Sequence, residues 1–216
     1  MSVSLPNGVI IALATAYGAS KNITALTNAN PAVATSAAHG ITNGALVEVK
    51  SGWQKINERI VRIADAAAGA FSLDGMNTSS LVQFPAGTGA GSVREITAFT
   101  QITQILETST SGGEMQFATY SFLENDFEAQ IPTQASAQSL ALTIADDPTL
   151  AGYKALQAAA ETREVRALRI TFPNGSMILY NGYVSFNETP TMTKGEVMGV
   201  QATFSLLSRP VRYAAA

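Results

Sequence analysis

The chain has 216 residues, 46% of them apolar, with 16 acidic side chains against 13 basic ones and no cysteine. This length suits one domain carrying at most a smaller module, and the missing thiols exclude disulfides, cysteine-ligated zinc, iron–sulfur clusters and thiol catalysis. Asp, Glu, Lys and Arg make up 13% of the residues against about 25% in an average protein, so the surface is short of charge, as expected of faces hidden against other copies; the slight acidic excess argues against a chain that grips nucleic acid through Lys and Arg.

From the N-terminus, the apolar run Val9 to Ala14 is far shorter than the roughly 18 residues of a membrane span. Ala12 to Ala19 supplies small residues resembling a signal-peptidase site, but no Lys or Arg precedes it and Pro6-Asn7-Gly8 is a turn signal, so Val9 to Tyr17 is read as a strand. Between Pro31 and Gly91 the texture changes: Ala38-His39-Gly40-Ile41-Thr42-Asn43-Gly44 leads into short strands whose own core would hold Val47, Val49, Trp53, Ile60, Ile63, Phe71 and Leu73. The glycine-rich exit Pro85 to Gly91 reads as a linker, and residues 31–91 as a small β module inserted between 1–30 and 92–216.

Strands are expected at Val93 to Leu106 and Met115 to Phe122, joined by a flexible Ser109 to Gly113. Next come the acids Glu124, Asp126 and Glu128, which in an extended chain would project to one side. Leu140, Leu142 and Ile144 then alternate with Ser139, Ala141 and Thr143, a strand with one apolar and one small-polar face. Asp147-Pro148 predicts the start of the only helix, with Asp147 as its cap, Leu150, Tyr153, Leu156 and Ala160 as its apolar stripe, and an end near Thr162. Val165 to Phe172 and Ser176 to Phe186 flank Pro173-Asn174-Gly175, predicting a hairpin with a type I′ turn. The last strand, Val197 to Leu207, sets Met198, Val200, Ala202, Phe204 and Leu206 against a face containing Gln201, Thr203 and Ser205. Together these elements predict a mainly β fold, a β-sandwich with one flanking helix.

Candidate chemistry is thin. The single His39 lies in a turn without partners for a relay, so it is read as structural. Glycines 87, 89 and 91 lack the Gly-Lys-Ser/Thr of a phosphate loop. The acidic trio lacks the ligand count of a calcium loop and is read as a solvated loop contacting a neighbouring chain. Arg163, Arg166 and Arg169 are expected to pair with surface acids. No cofactor or metal is expected, and no catalytic residue.

The series Ala-Leu-Arg-Ile-Thr-Phe-Pro-Asn-Gly-Ser from Ala167, Tyr180-Asn-Gly-Tyr-Val-Ser, Thr193-Lys-Gly-Glu-Val and Leu207-Ser-Arg-Pro resembles the tail tube proteins of lambda-like and other long-tailed phages. Upstream, Leu140 to Ala160 is similar to that family's strand followed by a helix, and Ser121 to Ser136 to its acidic loop. Two departures stand out: the immunoglobulin-like domain of lambda's protein has no counterpart after Arg212, and residues 31–91 look inserted. The resemblance implies subunits that join strands into a tube-lining β-barrel, with hexameric rings that stack and an inter-ring loop carrying Glu124, Asp126, Phe127 and Glu128.

It also implies a virion component of the phage tail, made in the cytoplasm of the bacterial host. Expected partners are further copies of itself, a tape-measure protein, tail terminator and tail-tip proteins, and double-stranded DNA in transit, without sequence-specific binding. The small-polar positions Ser139, Ala141, Thr143, Gln201, Thr203 and Ser205 are the candidates for a lumen or interface face. A secreted β-sandwich adhesin or pilus-like subunit is the main alternative, and a glycan-cleaving enzyme is disfavoured by the scattered aromatics.

Overall fold

The computed structural model describes residues 7–215. In chain order the strands are β1 (Ile10–Tyr17), β2 (Lys21–Ile23), β3 (Ala25–Leu26), β4 (Ala32–Thr35), β5 (Leu46–Ser51), β6 (Arg59–Ala67), β7 (Ala70–Leu73), β8 (Gly91–Ile102), β9 (Ile105–Ser111), β10 (Met115–Tyr120), β11 (Ala129–Ala135) and β12 (Ser139–Ala145). The helix α1 (Ala151–Thr162) follows, then β13 (Val165–Thr171), β14 (Met177–Thr191), β15 (Gly199–Leu206) and β16 (Val211–Tyr213). The fold is mainly β with a single helix among the described residues, as the alternation predicts, and the main sheet curls into a half-barrel.

One sheet runs β3-β4-β7-β6-β5-β8-β1-β13-β14-β15-β12-β9, with β16 added beside β14 and β2 beside β8. Ile11, Ile102, Leu168, Tyr180, Val184, Phe204 and Leu142 come from strands spread across half of that order, yet they pack into one cluster with Tyr153 and Leu156 of α1. Residues so far apart in a sheet meet only if it curls toward their shared face, and α1 fills the trough. The opposite face of the middle strands carries Ala14, Ala167 and Leu179, which join Val211, Tyr213, Trp53, Phe71 and Ile60 in a second cluster. Strands β1, β13 and β14 therefore form a wall buried on both sides, with period-2 alternation sorting their residues between two cores.

The helix starts later than the Asp147 cap predicts. Asp147 Oδ1 instead accepts from the Thr149 amide (3.0 Å) and hydroxyl (2.6 Å), a local turn through Pro148. Leu150 stands in extended conformation at the helix start and makes no side-chain cap bond. Its buried stripe is Gly152, Tyr153, Leu156 and Ala159. Gly152 is there for proximity: an added Cβ would lie 2.7 Å from the Gln101 carbonyl and 2.8 Å from Ile102 Cα.

The hairpin around Pro173-Asn174-Gly175 forms as expected, with Leu168 opposite Tyr180 and Ile170 opposite Ile178. Its turn differs from the expected type I′. Gly175 N–H donates to the Phe172 carbonyl, Phe172 N–H donates to Ser176 O, and only Gly175 has positive φ, +82°. This is a type I turn followed by a glycine bulge, the geometry that suits proline at the second turn position.

The strand expected over Val93 to Leu106 divides at Gln104, whose φ is +57°. The chain turns there, and Ile105–Ser111 becomes a strand paired with β12 rather than a strand end and flexible link. The real break is Gly112-Gly113, both at positive φ, where a Cβ on Gly112 would sit 1.8 Å from the Ala137 carbonyl. Nor is Pro85 to Gly91 a free linker. Trp53 Nε1 donates to the Pro85 carbonyl (2.9 Å) and Thr88 Oγ1 (3.0 Å), and Ser51 Oγ donates to the Gly89 carbonyl (2.9 Å). The segment closes over the indole.

Candidate functional site

Two features leave the fold's interior unexplained: an exposed polar sheet face and a hairpin that belongs to neither core. The six small-polar positions named from sequence come together on the first. Antiparallel pairing of β12 with β15 sets Ser139 opposite Ser205, Ala141 opposite Thr203 and Thr143 opposite Gln201. The rows continue onto β9 through Ser111, Ser109 and Glu107, and onto β14 through Tyr183, Ser185 and Asn187. The alternate residues of the same strands, Leu140, Leu142, Ile144, Val200, Ala202 and Phe204, lie in the core beneath. Alternation thus commits the face outward, and β9 leaves it with an open edge.

These rows contain one acid, Glu107, and no Lys or Arg. Ser111 and Ser139 hydroxyls bond one another at 2.8 Å. The face is wettable, since every strand offers hydroxyl or amide groups, but it has no cation to hold a phosphate.

The second feature is the antiparallel hairpin of β10 and β11, a two-stranded sheet of its own. Phe117 stands opposite Pro132, Ala118 opposite Ile131 and Tyr120 opposite Ala129. Sequence reasoning missed β11, treating it as loop, because Pro132 and the Gln/Thr residues weaken a strand signal; proline is accommodated because this strand has an unpaired side. Met115, Phe117, Phe122, Leu123, Phe127 and Ile131 are all exposed, with Leu123 fully so. Apolar groups stand on both faces of the ribbon, and an isolated two-stranded ribbon is marginal in water.

Glu124, Asp126, Phe127 and Glu128 occupy the turn joining these strands, where the backbone turns and bends instead of extending. No group of three acids or histidines able to hold a metal occurs among the described residues.

The remaining sequence candidates lie elsewhere. His39 is buried, its Nε2 within 2.6 Å of the Ala67 carbonyl and its Nδ1 accepting from the Ile41 amide. Arg166 pairs with Glu164 at 2.8 Å, and Arg163 ends the helix in left-handed conformation. Arg169 does not find the expected acid: it stacks 4.3 Å from the Phe99 ring with its Nε unpartnered, and burial pushes its guanidinium below the ordinary value.

A buried polar group that sequence gave no signal for ties β5 and its neighbours to β14. Glu48 is 1% exposed; it pairs with Arg94 and accepts from Asn181 Nδ2 at 3.1 Å. Asn181 also reaches the Glu58 carbonyl at 3.0 Å. The Asn-Gly of the Tyr180 motif is therefore mid-strand: Asn181 bridges, and Gly182 allows β15 close, since a Cβ there would lie 2.2 Å from the Ser205 carbonyl. Tyr213 completes the tie, accepting from the Arg62 amide and donating to the Asp74 carbonyl, with burial raising its phenol to about 12.

No helix among the described residues is long and apolar enough to cross a membrane. No curated protein matches the chain. Residues 51–215 match the family model described as phage tail tube protein, TTP. That span takes in the polar face, the hairpin and the strands carrying the motifs quoted above, and on it the chain belongs to the phage tail tube protein family, structural components of the virion tail.

Proposed function

We propose that copies of this chain close hexameric rings that stack into the tail tube, the conduit through which double-stranded DNA leaves the virion. In this reading the face built from Ser139, Ala141, Thr143, Gln201, Thr203 and Ser205 turns toward the bore or a ring neighbour. The observation that carries it is the run of four adjacent strands whose outward rows hold hydroxyls, amides and a single acid but no cation. A duplex passing rows of Lys and Arg would be held by several phosphate contacts, each releasing counterions, and would stall. A wet wall without cations lets it slide. The open edge of β9 supports strand joining between subunits, which would remove edges that otherwise pair indiscriminately.

The hairpin carrying Glu124, Asp126, Phe127 and Glu128 acts as the inter-ring loop, its exposed apolar groups covered on stacking. Residues 31–91 form an inserted module on the outer side of the body. A tape-measure protein occupies the bore during assembly, terminator and tail-tip proteins close the ends, and the subunit is made in the host cytoplasm. The proteins of this family serve as structure, and the reading assigns this chain no catalysis.

Deleting Glu124 to Gln134 tests the stacking role. The expected product is a folded subunit, with far-ultraviolet circular dichroism and thermal unfolding close to those of the intact protein, that shows no tubes by negative-stain electron microscopy. Tubes of normal length from the deletion would remove the hairpin from the mechanism.

A further inference from the structure

A cleft of about 650 Å³ opens where the hairpin leaves the body, lined by Met115 and Ala137 on one side and Leu206, Leu207, Arg209 and Pro210 on the other. The Leu207-Ser-Arg-Pro series thus has a place in the structure that the polar wall does not use. Ser208 Oγ donates to the Glu58 carbonyl at 2.8 Å, which holds Arg209 beside Arg59. The two are like charges, and burial together with Arg209 pushes the Arg59 guanidinium below its ordinary value. Neither arginine has a carboxylate within ion-pair distance among the described residues, and the side-chain contact found for Arg59 is Met76 Sδ at 3.7 Å. Two adjacent cations without an anion, one of them exposed and the other partly desolvated, favour the approach of a carboxylate.

The complement is on the same chain but out of its own reach. Glu124, Asp126 and Glu128 make no ion pair among the described residues, and Phe122, Leu123 and Phe127 beside them are exposed. The six residues of β10, at about 3.4 Å each, carry this tip roughly 20 Å from the cleft at the hairpin's root.

We propose that the cleft receives the acidic hairpin tip of a second copy, its carboxylates facing Arg209, with the nearby charge of Arg59 behind it, and its aromatic side chains covering Leu206, Leu207 and Pro210. A tip at one end and a receptor at the other make a heterologous contact, which repeats without closing and so builds a stack rather than a dimer. The proposal rests on the stacking reading above and adds the surface on which the hairpin lands.

The test uses two variants of the full chain, R209E and the triple E124K/D126K/E128K. Each alone is expected to stay folded and to lose at least tenfold in pelletable tube mass, because tip and cleft then carry like charge. Mixed in equal amounts they are expected to form tubes again, since each variant's tip now opposes the other's cleft. R209Q, a milder change, is expected to shorten tubes and to make their length more sensitive to added salt. Full-length tubes from both R209E and R209Q, or no recovery on mixing, would overturn the proposal and assign the cleft to another occupant. Either outcome, combined with loss of stacking in the hairpin deletion, leaves the hairpin's role intact. Absence of tubes from the intact protein would remove both.

Discussion

Glu58 shows how one residue records a compromise where the chain between β5 and β6 meets β14. Its φ is +59°, its carbonyl accepts from Asn181 and Ser208, and its Oε2 is buried without a partner. Burial raises its pKa, nearby Lys50 lowers it, and the neighbouring Glu48 raises it again, for a net rise above the ordinary 4.5. A carboxyl raised on folding stabilises the fold while protonated, and this contribution is lost as pH rises through the folded-state value. E58Q should therefore be more stable than the parent at pH 7 and no more stable at pH 4. With the side chain 23% exposed, solvent screening keeps the gain to about 1 kcal/mol or less. Thermal unfolding at the two pH values measures it; equal differences at both would show that Glu58 does not titrate across this range.

At the scale of elements, α1 is held by fit as much as by apolar burial. Alanine at Gly152 should raise helix propensity by about 1 kcal/mol, yet its methyl would meet the backbone of Gln101 and Ile102 at under 3 Å. Backbone cannot swing aside as a side-chain end can, so the clash in G152A is expected to cost about 1–3 kcal/mol, outweighing the propensity gain and read as a lower midpoint in urea. A gain would mean that α1 shifts freely on β8. The same elements show what sequence conveys. The Pro-Asn-Gly hairpin and the alternation of β12 and β15 were legible because turn chemistry and period 2 are local. The split at Gln104 was not, because a non-glycine residue at positive φ leaves no local mark. The strand after the acidic turn was hidden by Pro132, and the closure of Pro85 to Gly91 over Trp53 depends on contacts formed only in the folded chain. The six small-polar positions were readable as a set, whereas their alignment in three rows required the register of four strands.

For the whole molecule, the shortage of charge and the cation-free wall belong to one argument. Placing lysine at Ser139 and Thr143 puts two cations per subunit on that wall, and the ring proposed above would multiply them. Tubes should still assemble, because both positions face outward from the core, while DNA delivery slows by at least tenfold, with the deficit shrinking as ionic strength rises. Plating efficiency together with a single-round ejection assay reads the effect. Undiminished delivery would place the face against a neighbour instead of the bore.

The wall shared by the two cores bears on how an assembly of such subunits would deform. Strands β1, β13 and β14 are packed on both sides, and on one side Glu48, Asn181 and Tyr213 fasten the strands of residues 46–74 to that wall, which braces the body against hinging there. If such bodies stack through their hairpins as proposed, flexing of the filament would fall on those slender ribbons, and the bore's cross-section would keep its shape as the filament curves.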